Sequence, residues 1–254
     1  MSDPMAKVIV EIEGPVRTVT MNRPEKSNAM DAEMLAAMEE AFAPDPGPGP
    51  DERVAVIRGV GRTFCAGLDL SGGITKGQNV ETLFHRVETW PLPVVAVVQG
   101  AAIAGGNELA LHSDLVVASD VAKFGMSLAQ IGLAPSWFLT KKLVEVAGPV
   151  ITREILLLGD SVPARRMADL GLIARCVPAD QHQAAVDDVV DRLVRNAPKS
   201  LQAMKATISR QMSYFDAIDH DDTDALVRAA MKSADAKEGM LARMERRDPR
   251  FTNS

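Results

Sequence analysis

A chain of 254 residues with 46% hydrophobic and 24% charged residues has the length of one large domain and the balance of an ordinary globular protein. Its net charge of -6 excludes a protein that holds nucleic acid through phosphate contacts, while leaving room for a local basic patch facing a phosphorylated small molecule. Two cysteines, Cys65 and Cys176, supply neither a disulfide framework nor a metal-ligand pattern, which points to a reducing cytoplasm.

The N-terminus, MSDPMAKVIVEIEG, has no basic stretch leading into an apolar run, so no signal peptide is read. Lys7–Glu13 and Val16–Met21 alternate around Gly14-Pro15 and predict a hairpin. A polar loop, Asn22–Met30, precedes Asp31, a good N-cap for a helix with Met34, Leu35, Met38 and Phe42 on one face. The proline-rich Ala43–Pro50 is a surface connection, and strand-like Val54–Arg58 follows it. Gly59–Leu70 is a small-residue turn without the spacing of a dinucleotide motif, and Ser71–Asn79 reads as a mobile loop. Val80–Trp90 has helical spacing at Val80, Leu83, Phe84 and Val87.

Trp90–Asn107 is uncharged, but its prolines and glycines suit a buried strand and turn better than a membrane span. The strand is Val94–Val98, and the turn leads to Gly105-Gly106 and a buried helix beginning near Asn107. A strand that ends in glycines and feeds a helix presents N–H groups with no intrahelical partner, a place for an oxygen that becomes anionic during a reaction. Glu108, a group that can move a proton, lies three residues beyond Gly105. Further along, Leu115–Ala118 and Lys123–Met126 are extended. Trp137–Ala147, Val150–Leu158 and Pro163–Leu170 are helical, with Pro163 in a first turn. Leu172–Val177 is a last strand, and from Asp180 the pattern is helical with a break at Pro198.

The segments NRPEKSNAM (22–30), GRTFCAGLDL (61–70), PLPVVAVVQGAAIAGGNELALHSDLVVAS (91–119), KFGMSLAQIGLAP (123–135) and SADAKEGMLARMERRDPRF (233–251) resemble, in order and spacing, the crotonase superfamily, also called the enoyl-CoA hydratase/isomerase family. The resemblance implies an α/β fold: a spiral of ββα units, taken as residues 1–195, followed by a helical trimerisation region, residues 196–254. It implies a homotrimer or dimer of trimers and an acyl-CoA or enoyl-CoA substrate. No permanently bound cofactor, metal, nucleic acid or membrane is expected.

The same resemblance implies that the thioester oxygen is bound by two main-chain N–H groups, those of Leu68 (after Ala66-Gly67) and Gly105. Each such donor lowers the barrier to an enolate by about 3–4 kcal/mol. Glu108 matches one of the two glutamates with which hydratases of the family place and deprotonate water, and Arg23 and Lys26 match the loop near the CoA nucleotide. The second glutamate is replaced: where relatives read Phe-Gly-x-Pro-Glu, this chain reads Phe124-Gly125-Met126-Ser127-Leu128. Bulky Trp137 and Phe138 stand where relatives are rich in glycine, and Ser136 removes an aspartate nucleophile.

The leading expectation is therefore hydratase or isomerase chemistry with Glu108 as the acid–base group, acting alone or with another carboxylate from elsewhere in the fold. The alternatives are a different thioester reaction and an acyl-CoA binding protein without turnover. Asp69 and Asp114 read as local backbone acceptors and Cys65 as a buried filler. His85, His112, His182 and His220 are scattered without metal-ligand spacing, and His112-Ser113-Asp114 are sequence neighbours, which is not how a triad assembles.

Overall fold

The computed structural model describes residues 6–69 and 79–253. The expected loop at 71–79 thus lies outside the described residues except for Asn79. The hairpin forms as β1 (Val8–Glu13) and β2 (Val16–Met21), antiparallel, with Val8 opposite Met21. Asp31 caps α1 (Ala32–Ala41) by accepting from the Met34 N–H at 2.9 Å, and Met34, Leu35 and Met38 are buried. The other strands are β3 (Val54–Gly59), β4 (Val94–Val98), β5 (Ala101–Ile103), β6 (Leu115–Ser119), β7 (Lys123–Gly125), β8 (Val162–Pro163) and β9 (Arg175–Val177). The other helices are α2 (Val80–Thr89), α3 (Gly105–Leu111), α4 (Trp137–Arg153), α5 (Ala164–Asp169), α6 (His182–Arg195), α7 (Pro198–Met212), α8 (Asp221–Lys232) and α9 (Ala234–Glu245).

Two sheets result. One runs β1-β2-β3-β4-β6-β9 and is parallel from β2 onward; the other runs β5-β7-β8. Period-two alternation explains how the first sheet is buried on both faces. Ala55, Ile57, Val94, Ala96 and Val98 enter the main core beside α1, α2 and α3. Val54, Val56, Val95, Val97 and Val117 face the other way and meet Val186 and Val189 of α6.

Three details differ from expectation. Strand β5 was not foreseen; its partners are β7 and a bridge to Cys65, distant in sequence. Pro163 belongs to β8 and precedes the helix as its N-cap, because α5 starts at Ala164. The two expected helices around residue 148 form one run interrupted at Gly148 (φ 63°, ψ 171°), which a single π-helical turn, Glu154–Leu158, extends.

Candidate active site

The first turn, residues 60–67, is held by side chains from elsewhere. The Asn28 amide, fully buried, donates to the carbonyls of Val60 (3.0 Å), Thr63 (2.8 Å) and Phe64 (3.1 Å). The Gln99 amide donates to Gly59, Gly61 and Thr63 at 2.8, 3.0 and 3.1 Å. Beyond the turn, Leu68 lies in a short parallel bridge with Met30: the Met30 N–H donates to the Gly67 carbonyl (2.7 Å) and the Asp69 N–H to the Met30 carbonyl (2.9 Å). In such a ladder alternate residues face alternate edges, so the Leu68 N–H points away from Met30. Among the described residues it donates to no backbone carbonyl.

The second turn follows β5. The Ile103 N–H donates to the Cys65 carbonyl (2.9 Å) and the Ala104 N–H to the Gly125 carbonyl (2.8 Å). Ala104 adopts φ 49°, ψ -117°, a conformation that disfavours any side chain and stores about 1–3 kcal/mol. The next residue, Gly105, opens α3, so its N–H has no intrahelical acceptor. The two turns meet: a side-chain carbon added at Gly67 would sit 3.0 Å from the Gly105 nitrogen. One added at Gly105 would sit 3.4 Å from the Gly67 Cα, 3.1 Å from Met30 Cε and 3.7 Å from Phe84 Cζ. The donors that the sequence reading paired thus belong to turns in contact, and the glycines permit that contact.

Glu108, in the first turn of α3, is fully buried, and both carboxyl oxygens lack a hydrogen-bond partner among the described residues. Burial pushes its carboxyl up to about 8, against the smaller downward pulls of the Lys142 charge and the Asn107 side chain. At neutral pH it therefore holds its proton in the folded chain. His112, one helical turn on, is also buried and is pushed down to about 3, chiefly by burial and then by Lys142. Its Nδ1 lies 3.8 Å from Glu108 Oε2, but with both groups neutral this contact is not an ion pair.

The chain has known relatives. The description of the enoyl-CoA hydratase/isomerase family matches residues 11–254. The chain belongs to the enoyl-CoA hydratase/isomerase family. It is 33% identical to a putative enoyl-CoA hydratase of Thermus thermophilus over 96% of this chain and 100% of that one. It is 32% identical to enoyl-CoA hydratase EchA19 of Mycobacterium tuberculosis over 96% of each. The crystal structure of an enoyl-CoA hydratase from Mycobacterium avium subsp. paratuberculosis K-10 superposes with a TM-score of 0.86 at 29% identity, covering 98% of this chain and 99% of that one. The protein is an enzyme of the enoyl-CoA hydratase/isomerase type acting on a CoA thioester.

The other residues singled out in the sequence have the following places. The Arg23 guanidinium donates to Asp69 (2.6 Å) and to the Ala29 carbonyl (2.9 Å), bracing the loop 22–30 against the first turn. Lys26, by contrast, is exposed, and among the described residues no carboxylate pairs with it. Ala66 is held by its N–H on the Ser27 carbonyl (3.1 Å). Asp114, expected to bond the backbone locally, instead accepts from the Val94 N–H (2.7 Å), twenty residues away, and from Lys205 (2.6 Å). Cys65 is buried, its thiol donates to the Asn28 carbonyl at 3.2 Å, and burial pushes it up to about 12, so it is a filler. His182 Nε2 donates to the Val117 carbonyl (3.0 Å), which fixes it structurally.

Leu128 is half-buried against the main core, with its carbonyl accepting from Ile131 and Leu133 at 3.0 Å each. Phe138 stacks on His112 and Trp137 on His220. Among the described residues no cluster of three metal-ligating side chains exists and no helix is long and apolar enough to cross a membrane. Cavity size does not locate the chemistry. A cavity of about 910 Å³ lies between α9 and the C-terminal tail, another of about 620 Å³ between α2, α4 and α7, and Glu108 lines neither.

Proposed function

We propose that the enzyme hydrates an enoyl-CoA with Glu108 as its single proton carrier and the Leu68 and Gly105 N–H groups as the holders of the thioester oxygen. The observation that carries this is the fully buried Glu108 carboxyl, protonated at neutral pH, on the helix whose first N–H is the Gly105 donor. One neutral carboxyl suffices for a balanced addition. Water oxygen bonds to the β carbon. The carbon–carbon π pair moves toward the thioester, whose oxygen charge the two N–H groups stabilise. The carboxyl proton goes to the α carbon, the carboxylate left behind takes the extra proton of the added water, and Glu108 ends as it began. Lys26 is the cation best placed by exposure to meet a CoA phosphate, and Arg23 acts as the brace of that loop.

A second use of the site is a double-bond shift, favoured by Leu128, which supplies no second carboxyl to hold water. The exposed apolar side chains Leu157, Leu158, Met204, Ile208 and Leu226 support assembly with copies of the same chain. The decisive experiment incubates the enzyme with crotonyl-CoA and, separately, with a 3-enoyl-CoA, and follows the products by mass. Gain of one water supports hydration; conversion of the 3-enoyl to the 2-enoyl thioester at constant mass supports the shift. Glu108→Gln should lower the supported rate by about 10²–10⁴-fold. Unchanged turnover in that variant would remove Glu108 from the mechanism.

A further inference from the structure

Glu108 faces a physical problem in any such reaction. Its proton leaves during the cycle, and the anion that remains sits in an apolar pocket with neither oxygen hydrogen-bonded. Charged and titratable groups reach it from two neighbouring elements: Lys142 of α4, which favours the anion, and Glu81 of α2, which opposes it. The Asn107 side chain also favours the anion, and His112 Nδ1 lies 3.8 Å from Oε2.

The His112 ring is held in one orientation. It is sandwiched between Phe84 of α2 (5.3 Å between centroids, 19° between planes) and Phe138 of α4 (5.0 Å, 16°). Its Nδ1 lies 2.9 Å from the main-chain carbonyl of Glu108. A carbonyl can only accept, so Nδ1 carries the hydrogen. In a neutral ring Nε2 is then bare, which agrees with its having no partner among the described residues. The charged groups facing the ring are Lys142 and Lys141 of α4 and Glu88 of α2. The two lysines and the apolar sandwich keep it neutral. Its Nδ1–H therefore stays aimed at the Glu108 main-chain carbonyl and carboxyl edge throughout the pH range in which an enzyme works.

We infer that His112 is a positioning residue for Glu108: a neutral imidazole, locked between two phenyl rings with its hydrogen on Nδ1, that holds the carboxyl in place and steadies it when its proton has been given away. The Nδ1–H is engaged with the Glu108 main-chain carbonyl at 2.9 Å, and a turn of the Glu108 side chain that brings Oε2 in from 3.8 Å lets the carboxylate share that hydrogen. Because the ring is uncharged, it offers this donor without the full charge of an imidazolium, which would pull the carboxyl down and remove its proton at neutral pH. In a chain that has Leu128 where a second carboxylate would help manage the proton, this donor is the compensating feature.

The inference rests on Glu108 as the proton carrier, and the experiment separates the two. In the full-length protein, the Glu108 carboxyl is followed by ¹³C NMR against pH in the wild type, His112→Leu and His112→Asn, with Glu108→Gln assigning the signal. Turnover of whichever enoyl-CoA the wild type accepts is measured in parallel. Loss of the donor in His112→Leu should move the Glu108 midpoint upward by about one unit. It should also lower kcat by about tenfold while KM stays within about twofold, because substrate binding does not use the ring. Asparagine, whose amide can present a donor near the Nδ1 position, should restore most of both. Nitrogen NMR of the wild-type imidazole should show a neutral ring protonated on Nδ1 from about pH 5 to pH 9; this holds whether or not either variant folds.

A ring that titrates in that range or carries its hydrogen on Nε2 would overturn the inference. So would an unmoved Glu108 midpoint in folded His112→Leu, or equal behaviour of the leucine and asparagine variants. An active Glu108→Gln enzyme overturns the proton-carrier role and the inference with it; an inactive one beside an unaffected His112→Leu overturns the inference alone.

Discussion

In Glu108→Gln a buried carboxyl becomes an amide of nearly the same volume with no proton to exchange, and the consequence for stability can be worked out. The carboxyl sits at about 8 in the folded chain against an ordinary value of 4.5, because of burial. Between those values the folded chain keeps a proton that the unfolded chain has lost. Wild-type stability therefore falls as pH rises through that window and levels off above it. At about 1.4 kcal/mol per unit, the full shift corresponds to about 5 kcal/mol, and structural relaxation with water entry brings the expected loss to about 2–4 kcal/mol.

The glutamine variant should lack this loss. His112, pushed down to about 3, contributes with the opposite sign: the folded ring stays neutral, so its contribution grows as pH rises toward its ordinary value of 6.5. That contribution is common to both proteins and cancels in their difference. Urea unfolding of both proteins at fixed concentration, from about pH 5 to pH 9, measures the gap. The variant should gain about 2–4 kcal/mol on the wild type across that range. Parallel stability curves would mean that Glu108 ionises as freely folded as unfolded, and the case for a protonated carboxyl would collapse.

Three further expectations follow from the packing. Gly106→Ala would place a carbon 2.1 Å from the Cys65 carbonyl oxygen, backbone that cannot swing aside, and should lower stability by at least about 3 kcal/mol in thermal unfolding. Asn28→Ala removes three donations to the first turn and should cost about 2–4 kcal/mol; activity should fall further than stability explains, measured as kcat/KM on folded protein. Arg17 grips Glu52 through two hydrogen bonds of 2.6 and 3.0 Å, and Glu52→Leu should destabilise by about 3 kcal/mol because Arg17 is left half-buried and unpaired. Burial opposes the Glu52 charge, yet Arg17 and the Gly49 N–H outweigh it and hold the carboxyl below its usual range. This contribution is therefore present above the ordinary carboxylate value and is lost as pH falls through the lowered one, visible as a steeper acid limb in the wild type than in the variant.

Local signals made the framework legible. The alternation of β1 and β2, the Asp31 cap and the apolar spacing of α2 are each decided by neighbours in sequence, and each formed where expected. Strand β5 is three residues long and exists because of Lys123–Gly125 and Cys65, so nothing in its own composition announces it. The candidate site divides the same way. The ordered motifs brought out Leu68, Gly105 and Glu108, while Asn28 looked like one more polar residue in a loop, although it organises the first turn. Arg23 was read toward a phosphate, and its guanidinium is spent largely on Asp69, forty-six positions away, a partner that only folding supplies. His112 stands four residues after Glu108, a spacing that puts both on one helix face; that signal was present, but the aromatic rings that give the ring its meaning come from α2 and α4.

The two amides of Asn28 and Gln99 converge on one short turn, and this bears on how the enzyme meets its substrate. A turn gripped at five successive or near-successive carbonyls has little freedom left to lose when a thioester arrives. The N–H direction at Leu68 is thus set during folding, and a thioester oxygen received there, as proposed, would enter a finished socket. In hydrogen exchange this would leave a characteristic mark: a freely exchanging amide at Leu68 within a slowly exchanging surround, falling silent only when an acyl oxygen occupies it.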